Sequence, residues 1–117
     1  MSYVDGFLLA VPKGKIEAYK EMARLGSEVW KDHGAIAYVE CLADDVPYGE
    51  VTSFPRAVQA TDDEIVVFSW VVYRSREDRD EIMKKVMADP RMKGEPSEWP
   101  FDGKRMIYGG FQPFVES

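Results

Sequence analysis

Eleven residues near the middle of the chain constrain it most. Residues 64–74 read Glu-Ile-Val-Val-Phe-Ser-Trp-Val-Val-Tyr-Arg. β-Branched and aromatic side chains dominate, so the run favours an extended strand. With period two, one face carries Val66, Phe68, Trp70 and Val72, and the other Ile65, Val67, Ser69, Val71 and Tyr73. A strand with one wet face alternates apolar and polar residues. This one is apolar on both faces, so it belongs at the centre of a sheet that is covered from both sides. It is also far shorter than the roughly 20 residues of a membrane-spanning helix.

The other elements arrange themselves around that strand. Residues 3–11 form a second apolar strand, closed by Pro12, with Val4, Leu8 and Ala10 facing one way and Phe7, Leu9 and Val11 the other. Over residues 15–33, Ile16, Tyr19, Met22, Ala23, Gly26, Val29, Trp30 and His33 recur at steps of three and four. This predicts a helix, stopped by Gly34. Residues 35–43 read as a strand ended by Asp44, Asp45, Pro47 and Gly49. The stretch 44–63 is less regular, with a short strand extension expected at 51–54 and a helical turn at 55–58. Ser75 caps a helix over 76–88, with Asp78 in the capping-box position, and Asp89-Pro90 ends it. Residues 91–103 are a Pro- and Gly-bearing loop. Residues 104–115 form the last strand, where Gly109-Gly110 marks a bulge or a close backbone approach. The order β-α-β-β-α-β within one domain of 117 residues implies an α+β, ferredoxin-like fold. Its sheet has four antiparallel strands in the order 4-1-3-2, with two helices on one face.

Two helices cover one face only. The other stays apolar at its centre, and a bare patch of several hundred square ångströms is unusual on a monomer. A second copy packed sheet against sheet around a twofold axis is the simplest cover, so a homodimer is expected. The alternative is that the loops 44–63 and 91–103 fold over that face.

Composition excludes several functions. Fifteen Lys and Arg stand against 21 Asp and Glu, a net charge of -6, which disfavours a nucleic-acid partner. One cysteine, Cys41, permits no disulfide within the chain and suits a reducing cytoplasm. One histidine, His33, with that cysteine cannot supply a zinc site of the usual composition, and no metal is expected. The acidic runs Asp44-Asp45 and Asp62-Asp63-Glu64 lack calcium-loop spacing. Neither GxxxxGK[ST] nor GxGxxG occurs. The first residues lack the basic start of a secretory leader, and Asp5 interrupts the apolar run.

The segments Tyr3-Val-Asp-Gly-Phe, Tyr38-Val-Glu-Cys, Val51-Thr-Ser-Phe-Pro, Val66-Val-Phe-Ser-Trp and Pro100-Phe-Asp-Gly-Lys-Arg-Met-Ile-Tyr-Gly-Gly-Phe resemble the YbaA-like family of uncharacterised bacterial proteins. That family is similar to the dimeric α/β-barrel superfamily. The superfamily includes cofactor-independent monooxygenases, haem-linked enzymes, muconolactone isomerases and stress-response barrels. The resemblance implies the fold and the dimer, and brings no catalytic residues with it.

Six residues remain as candidates for chemistry. Asp5, in a central strand near Tyr73, is a general base or a ligand anchor, or else a strand-end carboxylate bonded to backbone or solvent. Glu40 shares a face with Tyr38, and Trp70 is expected in the neighbouring layer. The three line an aromatic pocket with one acid, or form an ordinary cross-strand aromatic pair. Arg105 is placed to hold a carboxylate or phosphate in a two-pronged contact, with Tyr108 beside it. Asp5 and Glu40 are therefore the catalytic candidates, and Tyr38, Trp70, Arg105 and Tyr108 the ligand-binding ones. His33 at a helix end is explained by the helix dipole. Cys41 is explained as a small apolar residue. The functional expectation is a cytoplasmic homodimer without a tightly bound cofactor, binding a small aromatic or carbonyl-bearing molecule. The alternative is a cofactor-independent monooxygenase or isomerase.

Overall fold

The computed structural model describes residues 2–117. Four strands, β1 (Tyr3–Pro12), β2 (Ala37–Leu42), β3 (Glu64–Tyr73) and β4 (Ile107–Phe111), form one antiparallel sheet in the order β2-β3-β1-β4. The two long apolar strands are central. The helices are α1 (Ile16–Asp32), α2 (Phe54–Ala57) and α3 (Arg76–Ala88).

Register settles which side chains share a face. β1 pairs with β3 so that Asp5 lies opposite Val71, Leu9 opposite Val67 and Gly6 opposite Trp70. Leu9, Val11, Val67, Val71 and Tyr73 face the long helices. Val29 and Trp30 of α1 meet Ile82 and Val86 of α3 over Val71 and Tyr73. Tyr19 of α1 packs on Leu9, Val11, Val67 and Phe101. Gly34 follows α1 at φ 111°, the left-handed stop that its sequence position calls for. The Ser75 hydroxyl accepts from the Asp78 N–H at 3.0 Å and opens α3.

The second sheet face carries Val4, Leu8, Ala10, Val66, Phe68, Trp70 and Val72. Part of segment 44–63 covers one end of it: Val58 and Ala60 pack on Leu8, Ala10 and Val66, and Phe54 lies against Phe68. The rest stays open, with Phe68, Ile107 and Phe111 exposed. Loop 91–103 goes the other way, and its Trp99 and Phe101 join the core on the helix side.

Three expectations need correction. No strand extension forms before α2. Ser53 instead caps that helix, its hydroxyl accepting from the Arg56 N–H at 3.2 Å. The last strand covers Ile107–Phe111 rather than 104–115, because the Asp102 carboxylate accepts from the Lys104 N–H and winds Gly103–Arg105 into a helical turn. The second strand begins at Ala37 rather than at residue 35, Gly34 and Ala35 being bonded back to α1.

Candidate functional site

Glu40 lies on the helix side of β2, opposite Ser69 of β3, whose small side chain leaves room above the sheet. The phenol of Tyr38, two residues along the same strand, donates to Glu40 Oε2 at 2.7 Å. The phenol of Tyr19, from α1, donates to Oε1. Burial, reinforced by the Glu40 charge, raises both phenols well above the ordinary tyrosine range. Both therefore stay neutral donors. Gly26 of α1 faces this group, and a Cβ there would stand 2.8 Å from the Tyr38 oxygen.

A cavity of about 360 Å³ opens beside Glu40, between α1 and β2. Ala23, Leu42 and Val67 give it apolar walls, and Lys20, Arg24 and Ser27 bring donors from α1. Each Glu40 oxygen accepts one phenol and keeps a lone pair. The cavity thus offers an acceptor at its base and donors at its rim.

Asp5 belongs to a different arrangement. Its carboxylate is 5% exposed, accepting from Tyr73 at 2.9 Å and from Arg79 at 2.7 Å. Trp30 donates in turn to the Tyr73 oxygen at 3.1 Å. Burial raises the Asp5 carboxyl against the pull of Tyr73 and Arg79. This chain ties α1, β3, β1 and α3 together, with both carboxylate oxygens engaged.

The other candidates do not converge on Glu40. Trp70 lies on the open face, its ring 5.5 Å from that of Phe68 and tilted to it, because β2 pairs it with Val39 and not with Tyr38. Tyr108 is 72% exposed on β4, beside Phe7. It is three strand spacings from β2, roughly 14 Å. Arg105 makes its two-pronged contact within the chain, to Glu64 at 2.9 and 2.6 Å, and also donates to Asp102 and the Gln59 carbonyl. Cys41 is a free, half-buried thiol. The His33 Nε2 lies 2.8 Å from Asp89, which Arg91 also grips. These bonds, Arg91 foremost, hold Asp89 well below the usual carboxylate range, so it is ionised and His33 Nε2 is the donor.

Tyr19 is the member that sequence reasoning missed. It reads as one more residue on the apolar stripe of α1, and only its hydroxyl signalled that a buried acceptor had to lie opposite. Among the described residues, no three His, Cys, Asp or Glu side chains come close enough to hold a metal ion. Among them, too, no helix is long and apolar enough to cross a membrane.

Sheet topology and site define a small α+β protein of ferredoxin-like form with a tyrosine-gripped glutamate beside a cavity. Residues 2–103 match a family described as protein of unknown function (DUF1428), and the chain belongs to that family. It is 53% identical over 116 residues to the uncharacterized protein YbaA of Escherichia coli K12, covering 99% of each chain. Identity to YbaA of Shigella flexneri is the same over the same span. Among solved structures it is similar to a nipsnap family protein of unknown function from Agrobacterium tumefaciens. There the TM-score is 0.54 at 21% identity, over 96% of this chain and 87% of that one. That likeness supports the fold.

Proposed function

We propose that this protein is a homodimeric small-molecule-binding protein whose ligand sits beside Glu40. The observation that carries the reading is the pair of tyrosine hydroxyls aimed at a half-buried carboxylate with an open cavity next to it. A hydroxyl or phenol of the ligand donates to a free Glu40 lone pair. Its carbonyl, where it has one, accepts from Arg24 or Ser27, and its apolar body rests on Ala23, Leu42 and Val67. Binding is favoured over an oxygenase or isomerase reaction because both tyrosines are held as neutral phenols and Asp5 is sealed between two donors. A reducing, cytoplasmic setting suits the free thiol of Cys41.

The dimer rests on the open sheet face. Its residues on all four strands are apolar or glycine apart from Cys41 and, at the end of β3, Glu64, which Arg105 pairs. With Glu64 paired, that face sets no unbalanced charge against a second copy of this acidic chain. A twofold axis matches that face to itself.

The site is tested by two-dimensional NMR with a panel of small phenols, hydroxy acids and ketones. Ligands are expected to shift backbone signals of residues 20–27 and 38–42 together, and Glu40→Gln to abolish the response. A panel that moves no signal there, or a response unchanged in Glu40→Gln, overturns the reading.

A further inference from the structure

The long motif ending the chain leaves a second concavity outside the Glu40 site. Loop 96–105 stands away from the β1–α1 turn and encloses a cleft of about 710 Å³. Its floor is the Glu64–Arg105 pair, closed by two short contacts, with Asp102 bound to the Arg105 Nε at 3.0 Å. Those three groups bond to one another and leave one negative charge. Its apolar lining is the Trp99 indole, stacked on Phe101 at 5.4 Å and 21°, together with Pro12 and Pro96. Gly103 lets the indole lie against the backbone, since a Cβ there would stand 2.8 Å from the ring. Lys15 and Lys104 line the cleft, and neither has a carboxylate within 4 Å among the described residues. With Lys15 and Lys104 added, the charged groups of the cleft sum to +1, a positive spot on an acidic protein.

We propose that this cleft is a second ligand site, taking a flat aromatic ring that carries an anionic group such as a carboxylate. The ring lies along the wall of Trp99 and the two prolines, where apolar contact supplies binding. The anion sits between Lys15 and Lys104, which attract it as point charges without needing fixed geometry. Arg105 does not grip the ligand. It supports the site by holding Glu64 and Asp102 beneath it and offsetting one of their two charges. The site is distinct from the Glu40 cavity, with which it shares no lining residue.

The probes are 2-naphthoate and its uncharged amide, followed on the three tryptophan indole N–H signals, with Trp99→Phe assigning the Trp99 signal. The expected result is that naphthoate moves the Trp99 indole signal and leaves Trp30 and Trp70 in place. The amide should bind about tenfold more weakly, and naphthoate binding to the Lys15→Ala/Lys104→Ala double variant should weaken by about the same factor. Both lysines are exposed, so the double variant is expected to keep the wild-type melting temperature, which the same samples report. Glu40→Gln should leave the naphthoate response unchanged, separating this site from the other. Equal binding of amide and acid, full affinity in the double variant, or the absence of any shift at Trp99 overturns the proposal.

Discussion

Glu64 and Asp5 are two carboxylates gripped by arginines, and their surroundings push them in opposite directions. At Glu64, hydrogen bonds from Arg105 outweigh burial and, with the Thr61 N–H, lower the carboxyl from 4.5 to about 2. Its folded value lies below its unfolded one, so the pair stabilises fully above about pH 4.5 and loses that contribution as pH falls toward 2. At Asp5, burial wins and the folded value rises above 3.8, so this group's term favours folding more as the solution is acidified through that raised value. Glu64→Gln should lose about 1–3 kcal/mol at pH 7. In urea melts across the acid range, its deficit from wild type should shrink between pH 4.5 and 2. A deficit constant over that range would refute the pairing. The closeness of Asp5 to Tyr73 was legible from strand alternation alone. Arg79 was not, because its arm arrives from α3 and only helix docking decides where a helix side chain lands. Arg105 carried the right chemistry for a two-pronged contact, but sequence did not reveal that its partner was Glu64.

At the scale of elements, α1 shows how one glycine ties a helix to a strand. Glycine inside a helix ordinarily costs about 1 kcal/mol against alanine. Gly26 is kept because the Tyr38 hydroxyl passes where a Cβ would stand. Gly26→Ala is therefore expected to forgo that helix gain in thermal melts and to displace the Tyr38 ring from Glu40, seen as a changed Tyr38 signal in NMR. A variant stabilised by the full amount with Tyr38 unmoved would contradict this geometry. β4 makes a related point, since Gly110 lies under the Tyr3 ring, where a Cβ would come within 2.9 Å of three ring and hydroxyl atoms. The tandem glycines thus mark a close approach, one of the two readings open from sequence. The helix at 76–88 was legible to the residue because its cap and its stop are local signals. The ends of β4 were not, because the run from Lys104 onward suits a strand until the Asp102 cap bends it away.

On the scale of the whole molecule, the sheet has one face committed to α1 and α3 and another covered only at the α2 end. Centrifugation at micromolar concentration is expected to show a species of twice 13.4 kDa. Phe68→Glu should return it to the single-chain mass while leaving the monomer folded by circular dichroism, since Phe68 is 45% exposed within the chain. A wild-type chain sedimenting at 13.4 kDa would end the dimer reading. The apolar second face was legible in residues 64–74 alone. Which loop would cover it was not, because 44–63 and 91–103 are both polar segments bearing Pro and Gly, and only the Trp99–Phe101 stack draws the second one to the helix side.

The two sides of the sheet also differ in how they tolerate change. On the helix side, directed hydrogen bonds hold two groups, Asp5 with Tyr73 and Trp30, and Glu40 with Tyr19, so replacing one member strands its neighbours. On the open side, Phe68, Trp70 and Val72 make apolar contacts that many side chains of similar size reproduce. A library randomised on the helix side would report on folding, and one randomised on the open side on assembly. The alternation of β3 therefore separates two selectable traits within a single ten-residue strand.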